Sequence, residues 1–164
     1  LPVDLSVKSA QVVPIDFHAR FTATGRQYVY RILNRAQRSA LLKDTHYFIP
    51  FYLDQNRMQR ATGCLLGTHD FSSFKSSNTD RTESRCSVRI IVGTLVEIGL
   101  GKKTPESLLQ ALKQPDRNLA GPTAPSWGLT LDSVKYPPVF KLFEVSAALS
   151  TCSELKEVFK EMKT

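Results

Sequence analysis

No apolar run in this chain approaches the ~20 residues that a membrane-spanning helix needs, and no stretch reads as a signal segment. No membrane partner is therefore expected. Cysteine is scarce: Cys64, Cys86 and Cys152 are odd in number, lie far apart and show no Cys-x-x-Cys or Cys/His ligand spacing. That argues against a disulfide framework and a structural zinc, and makes a reducing intracellular compartment (cytoplasm, nucleus or mitochondrion) the expectation. Acidic residues are in the minority, 15 against 22 Lys and Arg, which leaves a formal charge of +7 and a pI near 9.5. Such a balance favours an acidic partner such as nucleic acid, although a merely soluble basic surface is the plainer reading. There is no internal repeat. A length of 164 residues suits one well-buried core and not two full domains. The chain opens on Leu1 and not Met, so a further segment is expected upstream.

Alternation from Val12 to Leu33 predicts two strands, the second with Tyr28, Tyr30 and Ile32 on one face and Val29, Arg31 and Leu33 on the other. Asp54 is a candidate cap for a helix burying Met58, Ala61 and Leu65, with Arg57 and Arg60 on its wet side and Gly67 at its end. Phe71 and Phe74 read as core plugs in preference to base-stacking platforms. The polar run 75–85 reads as a loop. A largely apolar helix is expected over Ile90–Leu100 despite Gly93, and Thr104-Pro105 opens another that buries Leu108, Leu109 and Leu112 before Pro115. Leu129 to Tyr136 alternates as a strand that Pro137-Pro138 ends. A short strand over 140–146 and a last helix opened by Thr151 and Glu154 complete the reading.

The richest stretch is Phe17–Leu33, FHARFTATGRQYVYRIL, where basic and aromatic residues interleave on what reads as a buried strand. Placing Tyr28 and Tyr30 beside Arg20, Arg26 and Arg31 requires a hydrogen-bond partner for every hydroxyl and guanidinium, or a ligand that is both flat and anionic. RNA is such a ligand.

FHARF followed six residues later by Tyr28-Val29-Tyr30 resembles the A-type tRNA pseudouridine synthases. Leu65-Leu66-Gly67-Thr68-His69-Asp70-Phe71, Ile91-Val92-Gly93-Thr94-Leu95 and Ala124-Pro125-x-x-Gly128-Leu129 match the same family in the same order, over most of residues 1–137. The resemblance implies an α/β (α+β) fold, a mixed, mainly antiparallel sheet flanked by helices. It implies a catalytic-domain portion over 1–137 and a C-terminal extension over 138–164. It implies isomerisation of uridine to pseudouridine in tRNA, with no cofactor and no metal, by a protein that is commonly a homodimer. Tyr28 aligns with the tyrosine expected to stack on the target uracil; a core tyrosine is the alternative. Arg20, Arg26 and Lys75 are candidate phosphate contacts, weighed against solvated surface roles. Asp70 is expected to order its loop.

Two parts of the family pattern are missing. The family's catalytic Asp lies in a Gly-Arg-Thr-Asp-x-Gly-Val-His stretch shortly before FHARF, and no such stretch is present. Asp4 and Asp16 lack that context and read as turn or cap residues. The family also places two strands, the second ending in Phe-Leu-x-x-Met-Val-Arg, before the Ile-Val-Gly-Thr helix, whereas here Val88-Arg89 runs straight into Ile90. Arg89 therefore aligns either with the loop arginine or with the one ending the missing strand, near the catalytic carboxylate. Either the chain lacks these strands, which would strip helix 90–100 of its cover, or the numbering closes over an omitted segment. The second is preferred, and a break between Cys86 and Ile91, wider than the ~3.8 Å between consecutive Cα atoms, is its mark. A non-catalytic RNA-binding or assembly protein of the same fold is the competing function.

Overall fold

A computed structural model describes residues 2–75, 84–140 and 142. The two shorter of the three described α-helices pack on one side of the longest, and short strands cover its other side. The elements in chain order are β1 (Gly25–Tyr30), β2 (Ile32–Asn34), β3 (Tyr47–Ile49), α1 (Gln55–Thr62), α2 (Ser84–Gly99), α3 (Pro105–Lys113) and β4 (Leu129–Lys135). β1 pairs antiparallel with β4, and β2 pairs parallel with β3. The expected α/β fold, with helices against a mixed sheet, is what the chain forms, as two small two-stranded sheets among the described residues.

Of the two strands expected over 12–33, the first does not form and the second is the β1–β2 run. Residues 12–24 form turns and irregular chain, and the run that follows changes partner at Arg31. The Arg31 N–H donates to Gly128 O at 2.9 Å, while Arg31 O accepts from Tyr47 N at 2.9 Å. One residue thus ends pairing with β4 and begins pairing with β3.

Helix α1 starts as its sequence dictates. Asp54 Oδ1 accepts the Arg57 N–H at 3.0 Å, satisfying one of the donors that a helix start leaves over. After Thr62 the chain tightens into a 3₁₀ turn, Gly63–Leu65, which buries Leu65, and Gly67 then reverses it at φ 97°, a left-handed conformation open to glycine. Thr104 and Pro105 open α3 as expected, without a side-chain cap bond from Thr104.

Helix α2 runs unbroken from Ser84 to Gly99. The expected break between Cys86 and Ile91 is absent, and the family's two strands have no counterpart among these 164 residues. The helix is not left bare. Ile90, Ile91, Leu95 and Ile98 pack with Ala61, Phe74, Leu108 and Ala111, while Val88, Val92 and Val96 pack with Ile49, Leu53 and Ala124. A helix apolar on both faces sits between two layers because neither face can be left in water. Each fully buried Ile or Leu adds about 1.5–3 kcal/mol of transfer free energy. Phe74 is fully buried and Phe71 packs beside it, as core plugs. Of the run 75–85, residues 76–83 lie outside the described residues and Ser84 and Arg85 already belong to α2. The expected strand at 140–146 and the helix after Thr151 fall on residues that, 140 and 142 apart, are likewise outside the description.

Candidate RNA-binding site

The FHARF segment is a turn tied by its own polar groups. His18 Nδ1 accepts the N–H groups of Arg20 at 3.1 Å and Phe21 at 3.3 Å, and the His18 N–H donates to Thr22 Oγ1 at 2.9 Å. Phe17 anchors the turn from below, its ring 5.2 Å from those of both Tyr136 and Phe140. Tyr136 Oη donates to Ala19 O at 2.8 Å. Residues at the end of β4 and beyond it thus hold the turn at the edge of the β1–β4 ribbon.

Two of the three candidate phosphate contacts meet there. Arg26, on β1, donates through Nη2 to Arg20 O, and the exposed Arg20 guanidinium lies 5.9 Å from the Phe21 ring centre. Arg26 therefore shapes the turn that presents Arg20. Lys75 belongs elsewhere, exposed after the 3₁₀ turn Ser72–Phe74 that packs on α2 and α3. That turn is ordered by Asp70, as its position predicted: Oδ1 accepts Ser72 N at 2.9 Å and Ser72 Oγ at 2.5 Å. These bonds, foremost the Ser72 hydroxyl, hold the Asp70 carboxyl below its usual range.

Tyr28 and Tyr30 share the inward face of β1, against the cluster that includes Val92 and Ala124. Register sets Tyr28 opposite Leu131 and Tyr30 opposite Leu129, with a bulge between Gln27 and Tyr28 that leaves Asp132 unopposed. Tyr28 is half-buried and its neighbour Leu131 is 48% exposed, so this end of the apolar face opens to solvent. Tyr30 is committed to structure. Its Oη donates to Pro125 O at 2.7 Å, and its ring lies so close to Gly128 that a Cβ there would sit 2.7 Å from a ring atom. Burial, helped by Tyr47, pushes its hydroxyl far above the usual tyrosine value, with Arg89 opposing.

Arg89 reaches the same loop from α2. Its Nε donates to Ala124 O at 2.7 Å, and Ala124 N donates back to Arg89 O at 3.0 Å. One turn further along α2, Thr94 Oγ1 accepts the Gly121 N–H at 2.8 Å, while Gly93 and Gly121 let the two backbones touch. The loop 120–128 is thus fixed along its length, and Arg89 and Tyr30 meet at its centre. The structural work of Tyr30 and of the Gly93–Gly121 contact was missed in the sequence. The Tyr-x-Tyr spacing and a glycine in the middle of an apolar helix were its visible signals. Among the described residues, no group of three or more His, Cys, Asp or Glu side chains could hold a metal.

The family model for tRNA pseudouridine synthase matches residues 84–137, from the first residue of α2 to just past β4. A protein named tRNA pseudouridine synthase A from Acetivibrio thermocellus is 40% identical over 162 positions, covering 83% of this chain and 66% of that protein. One of the same name from Thermus thermophilus is 40% identical, covering 84% and 65%, and one from Histophilus somni is 42% identical, covering 87% and 62%. The chain belongs to the tRNA pseudouridine synthase family. It spans just under two thirds of the length of these relatives. The aligned lengths also show that some positions of the relatives have no counterpart here. The Acetivibrio alignment has 162 positions but uses 83% of 164 residues, about 136, so about 26 positions of the relative have no counterpart here. Two strands of ~5–6 residues with their connections account for a segment of that order.

Proposed function

We propose that this chain is the tyrosine-bearing portion of an enzyme that isomerises uridine to pseudouridine in tRNA. The observation that carries this is Tyr28: an aromatic ring at the open end of an apolar strand face, on a family motif, beside a loop that Arg89 and Tyr30 hold rigid. In the reaction the bond from ribose C1′ to uracil N1 breaks and one from C1′ to C5 forms. The C5 proton is lost and N1 gains one, so no redox partner is consumed. A flat ring packed against the flipped uracil steadies the base while it turns. Arg20 and Arg26 at the FHARF turn, with Lys75 on its separate turn, supply cations for tRNA phosphates. A homodimer clasping tRNA belongs to the same proposal, and sedimentation of the protein with and without tRNA measures it.

The reaction also needs a carboxylate, and the Gly-Arg-Thr-Asp motif that bears it in the family is not among these 164 residues. That observation favours a second reading, an RNA-binding or assembly protein that holds uridine without converting it. Incubation with uridine-bearing tRNA followed by pseudouridine mapping separates the two. Product that disappears in Tyr28→Phe and Tyr28→Ala supports the synthase. Salt-sensitive binding without product supports the binder. Failure to bind tRNA at moderate salt counts against both.

A further inference from the structure

We propose that Trp127 is a second base-stacking face, one that takes a nucleotide next to the target uridine. The inference rests on the tRNA-binding reading above and assigns a role to a position that the Ala124-Pro125-x-x-Gly128-Leu129 motif leaves open. Trp127 is the chain's only tryptophan and is 51% exposed. A large ring left half in water gives up much of the burial that normally justifies its presence.

Its backbone is among the best-fixed parts of the site. The 3₁₀ turn Ser126–Gly128 is held at Pro125 O by the Tyr30 hydroxyl at 2.7 Å, and at Gly128 O by the Arg31 N–H at 2.9 Å. Gly128 lies against the Tyr30 ring, and Leu129 N closes the turn on Ser126 O. An exposed aromatic on a rigid support loses little freedom when a base stacks on it.

The register then fixes its distance from Tyr28. β4 leaves the turn with Leu129 opposite Tyr30 and Leu131 opposite Tyr28. At ~3.3 Å per residue, the turn lies on the order of 10 Å along the ribbon from Tyr28. A single strand with one uridine turned out at Tyr28 therefore passes the turn with a neighbouring base. Arg89, bonded to Ala124 O, adds a guanidinium at the same loop, so the aromatic has a cation nearby for the intervening backbone.

Being unique, Trp127 reports on itself. Titrating the protein with end-labelled tRNA, while following label anisotropy and tryptophan emission together, should show quenching that tracks binding. Trp127→Ala should weaken tRNA binding roughly 5- to 150-fold with an unchanged salt slope, and Trp127→Phe should restore most of it. Binding without a change in emission overturns the inference and leaves the proposed function standing, as does Trp127→Ala binding like the wild type. Emission that changes with protein concentration in the absence of RNA assigns Trp127 to an interface between copies and also overturns it. Absence of any tRNA binding overturns both this inference and the proposed function. The wild-type titration decides the matter even if Trp127→Ala fails to fold.

Discussion

Gly93→Ala should destabilise the protein although it replaces a poor helix former with the best one. In an exposed helix interior this change gains about 1 kcal/mol. Here a Cβ would lie 1.7 Å from Pro122 O, against the 3.4 Å at which ordinary contact begins, so the loop must retreat by about 1.7 Å or α2 must bend. Either movement stretches the Thr94–Gly121 bond of 2.8 Å and the reciprocal Arg89–Ala124 pair of 2.7 and 3.0 Å. Overpacking costs about 1–3 kcal/mol and the three weakened hydrogen bonds about 1 kcal/mol each, which after the gain of about 1 kcal/mol in helix propensity leaves a net loss of about 3–5 kcal/mol. With a urea m-value of about 2 kcal/mol/M, the unfolding midpoint should drop by about 1.5–2.5 M. Gly63 is the internal control, in helical geometry at φ −55° with no atom within 4 Å of its Cβ site. Gly63→Ala should gain about 0.4–1 kcal/mol. The reasoning is refuted if Gly93→Ala unfolds at or above the wild-type midpoint, or if both substitutions shift it alike.

Tyr30→Phe leaves Pro125 O without its partner and should cost about 1–2 kcal/mol at neutral pH. Because the folded-state value is raised above the ordinary 10.0, the contribution of Tyr30 is complete below pH 10 and fades above it. The wild-type advantage in melting temperature over Tyr30→Phe should therefore narrow between pH 10 and 11; a widening gap contradicts the assignment. Phe74→Ala empties a fully buried site and should cost about 3–5 kcal/mol in chemical denaturation, an effect that a surface stacking residue would not show. Arg20→Ala should lower tRNA affinity while reducing the slope of log affinity against log salt by about 1, and an unchanged slope removes Arg20 from the phosphate contacts.

Local chemistry made α1 and α3 legible in the sequence: Asp54, Thr104 and Pro105 mark helix starts whose backbone donors need partners, and the apolar spacing gives each helix its buried side. β4 was legible from alternation. The change of partner at Arg31 was not, because bonds to Gly128 and Tyr47 are long-range and leave no trace in the local pattern. Period-two alternation also misled over residues 12–24, where His18 and Thr22 supply turn bonds that compete with strand pairing. At the site, motifs located Tyr28, Arg89 and the loop at Ala124. That Tyr30 is tied to the Pro125 loop while Tyr28 lies at the open end of the same face emerged only from register and from the Tyr30–Pro125 bond. The cover of α2 was misjudged for a similar reason: that the existing helices and strands suffice without the missing segment depends on packing across the whole chain.

Pseudouridine mapping of tRNA treated with the protein, with Tyr28 intact or changed to Ala, tests the central claim most directly. The account predicts pseudouridine with Tyr28 and none with Tyr28→Ala, at equal folding and with tRNA still bound through its phosphates. Equal product from both proteins would contradict it.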